Sequence, residues 1–168
     1  MRGGSTLRTA FLYVPAAFVI AALAALAVIP QGSVASPPAT GSGSYAVTGA
    51  VATGVRLADG NVFVTETESA DATGTLTGTF AHDLVVTIHP DGSLNFRGKG
   101  TFTGTVDGVS GSFEDTIEGQ GSVVSLELHG TITILRGSDD LVGLHGHLTI
   151  EGIPATGGTY AVQFHMDG

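Results

Sequence analysis

Apolar and polar residues alternate along most of the chain from Tyr45 onward. In each run the apolar side chains take every second position, with Thr, Ser, Glu and His between them. A period of two is typical of antiparallel strands that bury one face and expose the other. The pattern predicts an all-β fold with no helix after residue 44. The inward positions are Tyr45, Val47, Gly49 and Val51; Leu84, Val86 and Ile88; Leu94, Phe96 and Phe102; Val124, Leu126, Leu128, Ile132 and Ile134; Leu144, Leu148 and Ile150; and Tyr160, Val162, Phe164 and Met166.

Turn residues separate these runs. Asp91-Gly92 and Asp107-Gly108 each lie between alternating segments, which is a strong signal for a β-hairpin. Further turns are predicted over 58–61, 118–121 and 155–158. The runs between turns number about eight. Eight antiparallel strands with one apolar face predict a closed barrel, because closure removes the exposed sheet edges; a two-sheet sandwich is the alternative.

The N-terminal segment differs from the rest of the chain. The run from Phe11 to Ile29 carries no charge, follows Arg2 and Arg8, and precedes the small residues of Ser33-Val34-Ala35. This order is typical of a secretory signal cleaved after Ala35. An uncleaved anchor is the alternative, because the run is long enough to span a bilayer. We therefore predict a signal peptide or anchor over 1–35, a flexible linker over 36–44, and an extracytoplasmic barrel domain over 45–168, secreted or at the cell surface.

The composition is acidic and free of cysteine, which excludes disulfides and thiolate chemistry. Charged residues make up 12% of the chain, about half the usual fraction, and 26 glycines suit many tight turns. Removal of residues 1–35 leaves four basic and fifteen acidic residues, a net charge near −11. This charge argues against binding to nucleic acid or to an anionic membrane surface, so an uncleaved signal is the expected route to a membrane.

Two glycine-rich segments resemble a known superfamily. Residues 134–152, ILRGSDDLVGLHGHLTIEG, resemble the signature of the allene-oxide-cyclase-like and dirigent-like β-barrels, with Gly137, Leu141, Gly143 and Gly146 in the characteristic places. Residues 100–121, GTFTGTVDGVSGSFEDTIEGQG, and the closing GTYAVQFHMDG are similar to a bacterial group of that superfamily whose function is unknown. The resemblance implies an eight-stranded barrel with a central apolar pocket, often oligomeric in plant relatives. The pocket residues of the cyclases and dirigent proteins cannot be matched here, so no catalytic residue is transferred.

Asp115 lies on the apolar face of its predicted strand, with Phe113 and Ile117. A carboxylate inside a barrel either pairs with another group, shifts its pKa upward, or acts on a ligand. Asp115 is therefore the candidate general acid or base; the alternative is a bulge near the strand end that turns it outward. The predicted ligand pocket comprises Phe96, Phe102, Phe113, Asp115, Tyr160 and Phe164.

Glu66 and Glu68 share the parity of Val62 and Val64 and could enter the mouth of the barrel. The preferred interpretation is a strand that frays toward an acidic turn at Asp71. Four glycines also fall on the inward parity, where they mark bends that relieve crowding or, alternatively, open a cavity. They are Gly98, Gly100, Gly104 and Gly146.

The histidines His145 and His147 are predicted to point outward, because Gly146 and Leu148 take the inner face. With His129 and His165 on neighbouring strands they would form one external patch. Histidines at this spacing can bind zinc or copper, but an exposed strand face lacks the outer residues that orient strong ligands. We treat them as weak surface candidates and predict no metal and no cofactor.

The leading expectation for function is an exported barrel that binds a small apolar ligand, or has a structural role, without catalysis. One alternative is an enzyme of the cyclase or dirigent type that steers a reactive intermediate in the pocket, with Asp115 as its acid. Another is a cell-surface assembly protein that forms a homo-oligomer through uncharged outer threonines such as Thr101, Thr103 and Thr105.

Overall fold

The computed structural model describes residues 37–167 as a single closed β-barrel. Each strand pairs antiparallel with the next, and β1 pairs with β8 to close the ring. The predicted all-β barrel is thus confirmed, and the sandwich alternative is not formed. The predicted signal segment lies outside the described residues. The strands are β1 (Ala39–Ala58), β2 (Asn61–Gly74), β3 (Leu76–Ile88), β4 (Ser93–Val106), β5 (Val109–Ser122), β6 (Glu127–Asp139), β7 (Leu144–Ile153) and β8 (Gly157–Met166).

The first strand begins earlier than the sequence pattern indicated. Residues 39–46 pair with residues 157–164 of β8, so the predicted linker is wrong from Ala39 onward. The segment lacks apolar periodicity because glycines stand at its inward positions. A Cβ at Gly43 would collide with the carbonyl of Thr73 and the ring of Tyr160, so the barrel interior there is already filled by its neighbours.

Three predicted inward runs are also corrected. Beyond Val47, the described partner of β1 is β2 alone, and Val51 is exposed. The β5–β6 turn lies at 123–126 and not at 118–121, so Val124 and Leu126 are exposed. Leu126 has a φ of 58°, a left-handed turn conformation that the apolar periodicity did not reveal. Met166, the last residue of β8, is exposed as well.

One half of the barrel is solidly packed. It is the end that carries the β2–β3, β4–β5 and β6–β7 turns, where Leu76, Leu144 and the turn residue Leu141 are fully buried. The rings of Phe102 and Phe113 lie there at 4.9 Å. The other half, toward the β3–β4, β5–β6 and β7–β8 turns, is where an interior cavity remains. Among residues 37–167, no helix has the length and hydropathy needed to cross a bilayer.

Candidate functional site

A cavity of about 210 Å³ lies inside the barrel and is walled mainly by aliphatic side chains. The turn residues Val123 and Ala155 stand beside it, and Phe80 belongs to the wall that the cavity shares with the packed half. Five polar side chains interrupt this apolar wall. They are Tyr45, Glu66, Glu68, His82 and Tyr160.

Four inward positions form one row across neighbouring strands. Glu68 on β2 is paired with His82 on β3, His82 with Gly100 on β4, and Gly100 with Asp115 on β5. Because Gly100 has no side chain, the imidazole can lie across β4 and reach the next strand; a Cβ there would collide with the His82 ring. The row therefore joins a carboxylate, an imidazole and a second carboxylate on the inner surface.

The imidazole and Asp115 form a buried pair. His82 Nε2 lies 3.0 Å from Asp115 Oδ1, and the two side chains are 3% and 0% exposed. With Asp115 ionised, its carboxylate can only accept, so the His82 tautomer that forms this hydrogen bond carries its proton on Nε2. Within the described residues, Asp115 Oδ2 is buried without a hydrogen-bond partner. The His82 ring also stacks on Phe80, with centroids 5.4 Å apart and planes 15° apart, which fixes its orientation.

Asp115 stays on the inner face despite an irregularity beside it. The pairing of β5 with β6 shifts register between Glu114 and Asp115. The alternative prediction was a bulge at this place that would turn the Asp115 side chain outward. Glu114 pairs with Arg136 and Asp115 with Ile134, so the extra residue is Leu135 on β6, which is exposed. Because β6 carries the bulge, β5 keeps its alternation through Asp115.

Glu66 and Glu68 are half-buried and line the cavity. The preferred interpretation of a fraying strand was wrong, because β2 continues to Gly74 and Asp71 accepts a hydrogen bond from Thr79 Oγ1 at 2.8 Å. Burial raises the pKa of Glu66. Burial is also the largest influence on Glu68 and raises its pKa; Glu66 adds to the rise and His82 opposes it.

The two interior tyrosines have opposite surroundings. The Tyr160 side chain passes over Gly43. Its hydroxyl accepts a hydrogen bond from the Leu76 N–H at 2.7 Å and donates one to the carbonyl oxygen of Thr73 or Leu76. The Tyr45 hydroxyl is buried with no partner among the described residues. Burial, and then the nearby Glu68 carboxylate, raise the pKa of Tyr45 to about 12. One tyrosine fastens the barrel, whereas the hydroxyl of the other is buried near Gly152 without a hydrogen bond.

The predicted pocket residues fall into two groups. Phe96 and Tyr160 line the cavity. The other four predicted residues are buried but do not line it: Phe102, Phe113, Phe164 and Asp115. Phe102 and Phe113 pack against Phe80, and Asp115 lies against His82. His82 was missed by the sequence analysis. Its parity with Phe80 and Leu84 was the signal that would have placed it inside.

The predicted histidine patch is only partly assembled. The rings of His145 and His165 lie 5.5 Å apart, and their Nε2 atoms are 3.3 and 3.7 Å from the two carboxylate oxygens of Asp167. His129 lies separately beside Glu151, and His147 stands opposite Thr133 and Gln163. Within 37–167, no set of three or more His, Cys, Asp or Glu side chains is arranged to hold a metal ion.

A solved structure shares this fold. It is the crystal structure of a protein of unknown function from the DUF3224 family of Shewanella oneidensis MR-1, with a TM-score of 0.65 and 15% sequence identity. The match covers 78% of this chain and 99% of the other. At this identity the likeness shows the fold alone. No family model and no curated protein matches the chain.

Proposed function

We propose that the barrel binds one small, largely apolar molecule in its interior cavity. The observation that carries this proposal is the apolar cavity of about 210 Å³ inside a barrel whose other half is tightly packed. A buried apolar cavity of roughly 150 Å³ suffices to bind benzene. The space therefore suits a single ring with a short substituent, and Glu68 and His82 can orient a polar group on it.

The polar groups favour binding over a purely structural role. A structural barrel gains stability from a filled interior, since each cavity removes packing energy. Here the small side chain of Ala70 and the half-buried Glu68 line the cavity, and the Tyr45 hydroxyl is buried in the barrel without a partner among the described residues. Both polar groups are costly unless something pairs with them.

Titration calorimetry with toluene and indane tests the proposal. We expect saturable binding of one molecule to the full chain. Ala70→Leu should weaken it at least tenfold by filling the cavity, while Ala81→Leu, on the exposed outer face of β3, should leave it unchanged. Absence of saturable binding, or equal binding by Ala70→Leu, would show that the cavity is not a ligand site.

We further propose that the domain acts outside the cytoplasm. The charge-free run from Phe11 to Ile29 behind Arg2 and Arg8, with small residues up to Ala35, supports export. Native mass spectrometry of protein collected from the exporting cells should give the mass that begins at Ser36, and it also reports any homo-oligomer. Recovery of the full-length chain from the cytoplasm alone would contradict export.

We also propose that the barrel is related to the allene-oxide-cyclase-like superfamily. The eight-stranded meander and its interior cavity support this, as does the 134–152 segment, where Gly143 has a φ of +84° and Leu141 is fully buried. A structure with toluene bound at the end that carries the β7–β8 turn can be superposed on those barrels. Pockets at opposite ends of the two barrels would argue against the relation.

A further inference from the structure

We infer that His82 is a general base in the cavity wall, held by Asp115 and assisted by Glu68 as an acid, and that the barrel moves a proton between carbon atoms of an uncharged, apolar carbonyl compound. This inference rests on the proposed function, because the substrate must occupy the same cavity. The inference adds to the proposed function a reaction, which is isomerisation through an enol, and a chemical class of substrate.

The arrangement of His82 is that of an oriented base. Its side chain is 3% exposed, it belongs to the cavity wall, and its Nε2 is engaged by Asp115. Within residues 37–167 the structure gives Nδ1 no hydrogen-bond partner, so its lone pair remains available. A base needs a free lone pair, a fixed direction and a partner that stabilises its charged form. Asp115 supplies the last two and is therefore a positioning residue.

The proton transfer is balanced within the site. His82 Nδ1 takes a proton from the carbon next to the carbonyl, and the C–H electron pair forms a C=C bond. The carbonyl π pair moves to oxygen, which receives the proton of the Glu68 carboxyl group. In the return step His82 delivers its proton to the same carbon or to a conjugated one, and Glu68 recovers its own from the oxygen. Return to the same carbon gives hydrogen exchange with no net change, whereas delivery to the γ carbon of a β,γ-unsaturated carbonyl compound shifts the hydrogen and the double bond. Neither path needs an oxidant or a reductant.

Charge in the cavity selects the substrate. Glu66 and Glu68 lie in the wall, and none of its described residues is Lys or Arg. An anionic ligand would meet carboxylates without a compensating cation, and its desolvation would be costly. Since burial raises the pKa of Glu68, its neutral form, which can donate a proton to a carbonyl oxygen, is favoured.

Phenylacetone in deuterated water is a direct probe, because it is uncharged, has one ring and carries acidic benzylic protons. Saturation-transfer NMR measures its binding to the full chain, and loss of the benzylic proton signal measures exchange. We expect binding together with exchange at least 100-fold above buffer. His82→Gln, which retains a hydrogen-bond donor for Asp115, should lose that acceleration and still bind. The exposed His147→Gln is the matched control and should exchange like the unmodified protein.

Two further variants separate chemistry from structure. Glu68→Gln should slow exchange by removing the acid, and Asp115→Asn should slow exchange of the bound ketone at least tenfold without weakening its binding. A purely structural Asp115 would lower stability and leave the exchange rate of bound ketone unchanged. Binding without accelerated exchange, or equal exchange by His82→Gln, overturns the inference and leaves the proposed binding function standing. If neither phenylacetone nor toluene binds, both fall together.

Discussion

His82 on β3 is bonded to Asp115 on β5 across a strand that lies between them. The contact is possible because the intervening position is Gly100, whose missing side chain leaves a path over the backbone. Tyr160 on β8 uses the same device, since it passes over Gly43 on β1 to reach Leu76. These polar contacts join strands that are not adjacent, β3 to β5 and β8 to Thr73 on β2 and Leu76 on β3, and each passes over a glycine of the neighbouring strand.

The buried pair should show strong coupling in a double-mutant cycle. His82→Leu leaves the Asp115 carboxylate buried without its partner, and we expect the free energy of unfolding to fall by about 3 to 5 kcal/mol. The double variant His82→Leu, Asp115→Leu should lose less than His82→Leu alone, because no unpaired charge remains. Urea unfolding of the four proteins measures both effects. Additive losses would mean that the two residues do not stabilise each other.

The crossing glycine should not tolerate even one methyl group. Gly100→Ala places a Cβ against the His82 ring and the Ala81 carbonyl, so we expect a loss of about 1 to 3 kcal/mol in stability. Gly49→Ala is the matched control, because nothing lies within 4 Å of that Cβ. Thermal or urea unfolding compares the two variants. Equal stability of both would show that His82 can move aside without cost.

The two interior tyrosines should respond in opposite ways to loss of the hydroxyl group. Tyr160→Phe leaves the Leu76 N–H without its partner, and should cost about 1 to 3 kcal/mol. Tyr45→Phe removes a hydroxyl that has no partner in the described residues, so stability should be unchanged or slightly higher. A large loss on Tyr45→Phe in urea unfolding would reveal an additional partner for that hydroxyl.

Glu68 should make the barrel less stable as the pH rises above about 4.5, its ordinary pKa. The folded state holds the proton more tightly than the unfolded chain, so stability is lost as pH rises through the raised pKa. The groups that face Glu68 are Tyr45, Glu66, His82 and, beyond His82, Asp115. Glu68→Gln should therefore be more stable than the unmodified protein at pH 7, with the difference shrinking toward pH 4.

Unfolding in urea at several pH values measures this dependence. Glu118→Gln, on the exposed outer face of β5, is the control and should give a pH profile like that of the unmodified protein. If Glu68→Gln is no more stable at pH 7, the carboxyl group has a stabilising partner that offsets its burial.

Periodicity was sufficient to predict the strands, the closed barrel and the inward orientation of Asp115, because the side-chain period of two directly reports the buried face. It failed where inward positions hold glycine and where the residues of a turn are apolar. The start of β1 was predicted as a linker because Gly41 and Gly43 occupy its inward positions. The turn at Leu126 was predicted as part of a strand because its residues are apolar.

The site was harder to predict than the fold. The partnership of His82 with Asp115 depends on the register of three strands and on the glycine between them, and a single sequence does not fix that register. The cavity was equally hidden, since it depends on how side-chain volumes meet in space. Phe96 borders it while Phe102 and Phe113, on the same inward parity, do not.

The meander has one pairing that brings the two ends of the described chain together. Every other pair of strands is joined by a short turn, whereas Ala39 meets Phe164 only after the whole sheet has curled. Loop-closure entropy opposes such a distant contact most strongly, so the hairpins should form first and the β1–β8 seam last. In refolding followed by pulsed hydrogen exchange, amides of residues 39–46 should gain protection after those of β4 and β5. The interior would then stay open to solvent until the final step, and its occupant could enter before the ring shuts.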